Sequence, residues 1–168
     1  MSKPVSQKAS ELEFQIRRAT PEESEAISSL LLEAFLSVKS QYTKGAFEYT
    51  TPPPDVIRGR FGEGPIWVAV DGELIIGTVS GLPEPERYYI RSMAVKPEAQ
   101  GRGVGQRLLE TLENFAKESG FSTLYLYTTL SLHGAKRLYE RNGFRTIRES
   151  PPEEFFGTAG IEMEKNLV

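Results

Sequence analysis

The sequence predicts one α/β domain (α+β by some schemes), built on a sheet that pairs mostly as hairpins around one parallel crossover. Three observations carry this. Two strand-like runs, Ile66-Trp67-Val68-Ala69-Val70 and Leu74-Ile75-Ile76-Gly77-Thr78-Val79, flank Asp71-Gly72, a dipeptide suited to the tight turn of an antiparallel hairpin. Strand, helix and strand then follow in series from Tyr88 to Thr129, which suggests a right-handed parallel connection. The 168 residues suit a single domain, and 39 % hydrophobic with 26 % charged residues suit a packed core.

Residues 1–12 read as a flexible polar tail, and 13–168 as the domain. Phe14 and Ile16 alternate with polar neighbours, as in a half-buried strand. Thr20-Pro21-Glu22-Glu23 is a helix start: Thr20 caps, Pro21 suits the first helical position, and Glu23 can reach back to complete a capping box. Ile27, Leu30, Leu31, Ala34, Phe35 and Val38 then recur at helical spacing and make one apolar face. From Ser40 to Gly64 the pattern weakens. Pro52-Pro53-Pro54 argues against a regular element there, and Asp55 to Phe61 suits a short helix. Two readings stay open for this segment: an irregular connection, or a flap over a site. After the hairpin, a third strand runs from Tyr88 to Val95 and stops at Pro97. Gly103 to Ser119 forms a helix with Val104, Leu108, Leu112 and Phe115 on one stripe and Gly120 at its end. A strand over Thr123 to Thr129, a helix over about Gly134 to Arg141 stopped by Asn142-Gly143, and closing strands Phe144 to Ile147 and Ile161 to Glu164 complete the chain.

Composition removes several classes of chemistry. Zero Cys excludes thiol nucleophiles, disulfides and cysteine-ligated metals, and the single His133 excludes a multi-histidine site, so no metal is expected. Twenty basic against 23 acidic residues give a net charge of −3, which argues against a broad nucleic-acid face. No apolar run approaches the ~20 residues that span a bilayer, and the polar N-terminus does not resemble a secretory signal. The expectation is a cytoplasmic protein with neither membrane nor nucleic acid as partner; a homodimer stays open.

The most informative stretch is Gln100-Gly101-Arg102-Gly103-Val104-Gly105, between a strand and a long helix. Glycines permit close backbone approach and unusual dihedral angles. The helix start presents unpaired N–H groups and the positive end of its dipole, so a phosphate or pyrophosphate is the natural occupant, with Arg102 adding a cation. The dinucleotide pattern G-x-G-x-x-G fails in both registers, because Gln106 and then Leu108 fall where its third glycine belongs. The nucleoside-triphosphate loop fails as well, for no Gly-Lys-Ser/Thr ends the run. A glycine turn that merely joins two elements is the plainer alternative.

A second stretch, Ala135-Lys136-Arg137-Leu138-Tyr139-Glu140-Arg141-Asn142-Gly143-Phe144, follows about thirty residues later. Together the two stretches resemble the GNAT superfamily of N-acetyltransferases: its Q/R-x-x-G-x-G/A loop over Gln100 to Gly105, after a strand ending Met93-Ala94-Val95-Lys96-Pro97, and its A-x-x-L-Y-x-x-x-G-F segment over Ala135 to Phe144. The resemblance covers Trp67 to Phe144 well and the first helix more loosely. It implies a mixed, mostly antiparallel twisted sheet of about six to seven strands, with helices on both faces and a splayed parallel strand pair. It also implies acetyl-CoA as co-substrate in the cleft between the splayed strands. Backbone groups near Met93, Ala94 and Val95 would hold the pantetheine arm and thioester, and in the cofactor-binding loop that opens at Gln100 the amides of Gly101, Arg102, Gly103, Val104, Gly105 and Gln106 would take the pyrophosphate. Tyr139 would be the general acid, and an amine acceptor would enter from the opposite side.

The chemistry fits the groups. Attack by a neutral amine puts negative charge first on oxygen, where N–H groups stabilise it, and then on the leaving sulfur. A phenol, with an ordinary pKa of roughly 10, can protonate that sulfur. Two departures stand out. Many family members have Asn seven residues before the tyrosine, where this chain has Leu132 with His133 beside it. Some members carry a Glu on the strand here assigned to Tyr88 to Val95, and this one has none; Glu84 and Glu86 in the preceding loop are either in reach of a bound amine through water or plain solvent-exposed charges. Glu33, Glu48 and Asp55 would suit a cationic acceptor, with plain solvated surface as the default reading. Two alternatives of other classes are a non-catalytic acetyl-CoA-binding regulatory module and a phosphate-binding scaffold of unrelated fold.

Overall fold

A computed structural model describes residues 13–130 and 132–168, with His133 described in its backbone alone. The expected tail over 1–12 lies outside the described residues. Seven strands form one sheet: β1 Gln15–Arg18, β2 Ile66–Asp71, β3 Leu74–Pro83, β4 Tyr88–Val95, β5 Thr123–Thr129, β6 Arg145–Ser150 and β7 Gly160–Asn166. Their spatial order is β1-β2-β3-β4-β5-β7-β6, and every neighbouring pair is antiparallel except β4 and β5. The α-helices are α1 Ser24–Leu36, α2 Lys44–Thr50, α3 Pro54–Arg60, α4 Val104–Glu118 and α5 His133–Arg141. The expected mixed sheet with its single parallel pair is what the chain forms. Among the described residues no helix is long and apolar enough to cross a membrane.

Two apolar layers sandwich the sheet. On one face Val104, Leu108, Leu112 and Ala116 of α4 pack with Trp67, Ile76, Tyr88, Leu124 and Met163. On the other, Ile27, Leu30 and Leu31 of α1 and Ile57 of α3 cover Ile66, Val68 and Ala94. Strand alternation assigns the faces, since Trp67 and Ala69 look one way and Ile66 and Val68 the other. Gly77 brings β3 close beneath α4. A Cβ there would lie 2.8 Å from Val104 Cγ1 and 3.0 Å from Leu108 Cδ1.

In β4 the alternation changes phase. Tyr88 and Ile90 belong to the α4 face, yet so do Met93 and Val95, while Ala94 joins the α1 face. One extra residue causes this. The β3–β4 register shifts between Thr78 and Ser80, and Ser92 takes a left-handed φ of 55°. A bulge of this kind re-aims every side chain beyond it. Arg60 supports it by donating from Nη1 to Ser92 Oγ at 2.9 Å.

The segment 40–64 contains two helices. The expected short helix is present as α3, α2 was not expected, and of the three prolines only Pro52 and Pro53 lie outside regular structure. Thr43 caps α2 by accepting from Ala46 N at 3.2 Å, and Ala46 and Phe47 are buried. Pro54 opens α3 at the position where a missing N–H costs nothing. The chain here is tied down: Ser28 Oγ donates to Pro52 O at 2.7 Å and Thr43 Oγ1 to Phe156 O at 2.6 Å. The sixth strand also starts one residue later than expected. Phe144 N–H donates to Tyr139 O, so Phe144 completes the helix stop, with Gly143 at φ 89° supplying the turn.

At the head of α1 the expected cap is present. Glu23 accepts from Thr20 N at 2.9 Å and is gripped by both terminal nitrogens of Arg17, at 2.9 and 2.7 Å. The guanidinium and the cap hold its carboxyl down at about 2. Because the folded-state pKa is depressed, this stabilisation is complete above the unfolded value of roughly 4.3 and fades as pH falls towards about 2. Glu23→Gln should therefore lower stability at pH 7 by no more than about 1 kcal/mol, since Arg17 is half exposed. It should also flatten the acid limb of a melting-temperature profile between roughly pH 5 and pH 2.

Candidate active site

Strands β4 and β5 share only two residue pairs, Tyr88 with Leu124 and Tyr89 with Tyr125. From Ile90 onward β4 has no partner on that edge among the described residues, and a cleft of about 900 Å³ opens there. Met93, Ala94, Val95, Gln100 and Tyr139 all line it. The phase change at Ser92 is what turns Met93 and Val95 towards α4 and α5, where Met93 meets Tyr139.

Tyr139 is buried, and its hydroxyl points at Met93 Sδ, 3.6 Å away. Its ring packs edge-on to Phe144 at 5.7 Å. Burial, reinforced by Tyr89 nearby, pushes the phenol well above its ordinary pKa. It stays protonated throughout the neutral range and is a proton donor there, not a base.

The loop after β4 continues from the cleft. Gly101 and Gly103 have φ of 84° and 80°, and a Cβ at either would meet nothing within 4 Å. These glycines are needed for backbone conformation, and the space before them is open. Gly105 serves packing instead: a Cβ would sit 3.2 Å from Leu138 Cδ2 and 3.5 Å from Met93 Cε. Val104 is buried beneath the sheet. The first-turn N–H groups of α4 are thereby presented at the loop. Two side chains of the loop are already engaged within the fold. Arg102 is paired with Asp71, Nη1 to Oδ2 at 3.0 Å, so its cation is already engaged. Gln106 exchanges two amide hydrogen bonds with Asn142, at 2.8 and 2.7 Å, clasping the start of α4 to the end of α5.

Leu132 stands just before α5 and lines the cleft; the side chain of His133 lies outside the described residues. Neither Glu84 nor Glu86 lines the cleft, and Glu84 accepts a hydrogen bond from the Tyr125 hydroxyl. Glu33, Glu48 and Asp55 do not line it either; Glu33 pairs with Lys96 at 3.6 Å. The lining carboxylate among the described residues is Glu154, held by Arg148 through two bonds of 3.1 and 2.9 Å. No group of three or more His, Cys, Asp or Glu among the described residues is arranged to hold a metal ion.

Sequence reasoning missed the far wall of the cleft. Tyr89 and Arg91 of β4 and Tyr127 of β5 line it with Phe35, Tyr49 and Phe155. Strand alternation could have found the first three, because Tyr89 and Arg91 alternate with the core residues Tyr88 and Ile90. Nothing local marks Tyr49 or Phe155, whose rings meet edge-on at 5.7 Å across the fold.

Comparison with known proteins agrees with this geometry. The profile of the Acetyltransferase (GNAT) family matches residues 25–144. N-acetyltransferase 8B of Rattus norvegicus is 31 % identical over 101 residues, covering 56 % of this chain and 46 % of the relative. The human N-acetyltransferase 8B is 31 % identical over 90 residues, 50 % of this chain and 40 % of the relative. The chain thus spans about half the length of the curated relatives it matches. Among solved structures, the PaiA N-acetyltransferase of Thermoplasma acidophilum, determined in complex with coenzyme A, superposes with a TM-score of 0.78 at 18 % identity, covering 91 % of this chain and 98 % of that one. The IAA acetyltransferase of Bacillus cereus gives 0.70 at 23 % identity, covering 91 % and 99 %. At these identities the structural matches show a shared fold.

The left-handed backbone at Gly103 gives a direct test of the loop. Gly103→Ala should cost about 1–2 kcal/mol of unfolding free energy without any clash, as read by urea denaturation. Gly103→Asn should cost less than the Ala variant, because Asn enters that region more readily.

Proposed function

The chain belongs to the Acetyltransferase (GNAT) family, and from that premise we propose that it transfers an acetyl group from acetyl-CoA to a primary amine of a small molecule, peptide or protein. We take residues 13–168 as one transferase domain. The observation that carries the reading is the meeting of an unpaired β4 edge, a left-handed glycine loop at a helix start and the buried Tyr139 hydroxyl around one cleft.

Acetyl-CoA supplies the activated acetyl thioester. The chain's residues then divide the work. Free backbone groups of β4 around Met93, Ala94 and Val95 bind the pantetheine arm as a neighbouring strand would, and their N–H groups polarise the carbonyl. Backbone N–H groups from Gly101 to Gln106 hold the pyrophosphate at the positive end of α4. Gln100 lines the passage between the two, and Arg102, engaged by Asp71, fixes the loop more than it neutralises phosphate. Tyr139 gives its proton to the departing thiolate. The amine approaches from the aromatic wall. With Glu154 locked to Arg148 and Glu84 turned to Tyr125, the amine loses its proton to water.

A thiol-release assay with acetyl-CoA against polyamines, aminoglycosides, amino acids and peptides tests the activity; turnover with none would leave a binding module. Tyr139→Phe keeps the ring and should lower kcat by about a hundredfold or more with KM for acetyl-CoA nearly unchanged. Equal turnover would leave Tyr139 a packing residue of the core. Gly103→Val should weaken acetyl-CoA binding by calorimetry while the protein stays folded. Rates should rise with pH towards the pKa of the amine, with no alkaline fall from Tyr139 below about pH 10, since burial raises its pKa. Glu84→Gln and Glu86→Gln should each cost less than about tenfold.

A further inference from the structure

The far wall of the cleft carries a concentration of positive charge that the fold does not balance. Arg91 lines the cleft with a side chain only 10 % exposed, and its Nε is buried without a hydrogen-bond partner. Its Nη2 meets Glu63 at 2.9 Å, but that carboxylate is 46 % exposed, on the solvent side. Close behind, Arg60 is buried, donates to Ser92 Oγ, and has no carboxylate within ion-pair distance among the described residues. Two guanidinium groups therefore share one outward carboxylate. Buried like charges are unfavourable unless an anion compensates them. The space Arg91 faces is rimmed by the rings of Phe35, Tyr49, Tyr89 and Tyr127. The lining carboxylate among the described residues, Glu154, is already matched by Arg148.

We propose that the acceptor is an amine that also carries a carboxylate and an aromatic or large apolar group, its carboxylate seated on Arg91 and its apolar group among the rings. This deepens the acetyltransferase reading and rests on it. The acidic residues that would have suited a cationic acceptor, Glu33, Glu48 and Asp55, do not line the cleft. A guanidinium binds a carboxylate through paired, charge-assisted hydrogen bonds, and Arg60 adds to the field that draws the anion in. Polyamines and aminoglycosides would meet like charge at this wall.

The test compares two probes that differ only in charge, N-acetyl-L-phenylalanine and N-acetyl-L-phenylalaninamide, titrated into the full chain with and without CoA. The acid should bind about tenfold or more tightly than the amide, and added salt should weaken the acid alone. In Arg91→Gln the preference should shrink to within about threefold. Equal affinities in the wild type, binding of neither probe, or a preference that survives in a folded Arg91→Gln protein would overturn the proposal. Should the variant not fold, the wild-type contrast and its salt dependence decide. Thiol release separates this from the parent reading. Faster turnover of spermidine than of phenylalanine overturns the anchor and leaves the transferase standing. Absence of turnover with every amine overturns the transferase, while the acid–amide contrast still reads the anchor.

Discussion

At Ser92 the backbone enters a left-handed conformation, and β4 gains a residue that its neighbour β3 lacks. Most of the site follows from that single insertion. Before it, Tyr88 and Ile90 point into the α4 core; after it, Met93 and Val95 do, and Ala94 faces α1. The bend ends the pairing with β5 and frees one edge of β4 at mid-sheet, where an unpaired backbone is normally costly. A left-handed serine is itself strained. The surrounding structure bears that cost: Arg60 reaches from α3 to hold the Ser92 hydroxyl, and α3 is itself buried through Ile57.

The two sides of the cleft obey different physics. The side towards α5 is apolar and crowded, so its effect is to exclude water and keep the Tyr139 phenol neutral. The side towards α2 and the β6–β7 connection is built of rings and charged side chains. There Glu162, nearly buried, receives Arg87 at 2.8 Å and Arg148 at 3.0 Å, so the carboxylate keeps its charge under the aromatic floor. The two sides meet at β4, which is why one strand contributes to both.

Legibility in the sequence tracked locality. The helices α1 and α4, the Asp71-Gly72 hairpin and the glycine loop were readable because cap, stripe and turn residues lie within a few positions of one another. Tyr139 could be singled out by its spacing from that loop. Helix α2 was not readable, because its seven residues bury only Ala46 and Phe47 and its cap Thr43 is fastened to Phe156, more than a hundred residues away. The bulge escaped because Tyr88 to Val95 is apolar on both sides of the strand, so an extra residue leaves no break in the pattern. Nothing local distinguishes Arg60 and Arg91 from surface charges, and the engaged state of Arg102 depends on Asp71, some thirty residues earlier at the end of β2.

The two residue pairs that join β4 to β5 set up a division of labour between kinds of cohesion. Within β1–β4, and again within β5–β7, strands are stitched along their length by backbone hydrogen bonds. Across the seam the stitching nearly stops, and the halves are held by the common apolar floor that α4 presses against Trp67 and Ile76 on one side and Leu124 and Met163 on the other. Hydrogen-bonded ladders and apolar adhesion respond oppositely to cooling, since the hydrophobic contribution weakens as temperature falls. The seam thus leans on the force that cooling weakens, and it is the same line along which the cleft opens.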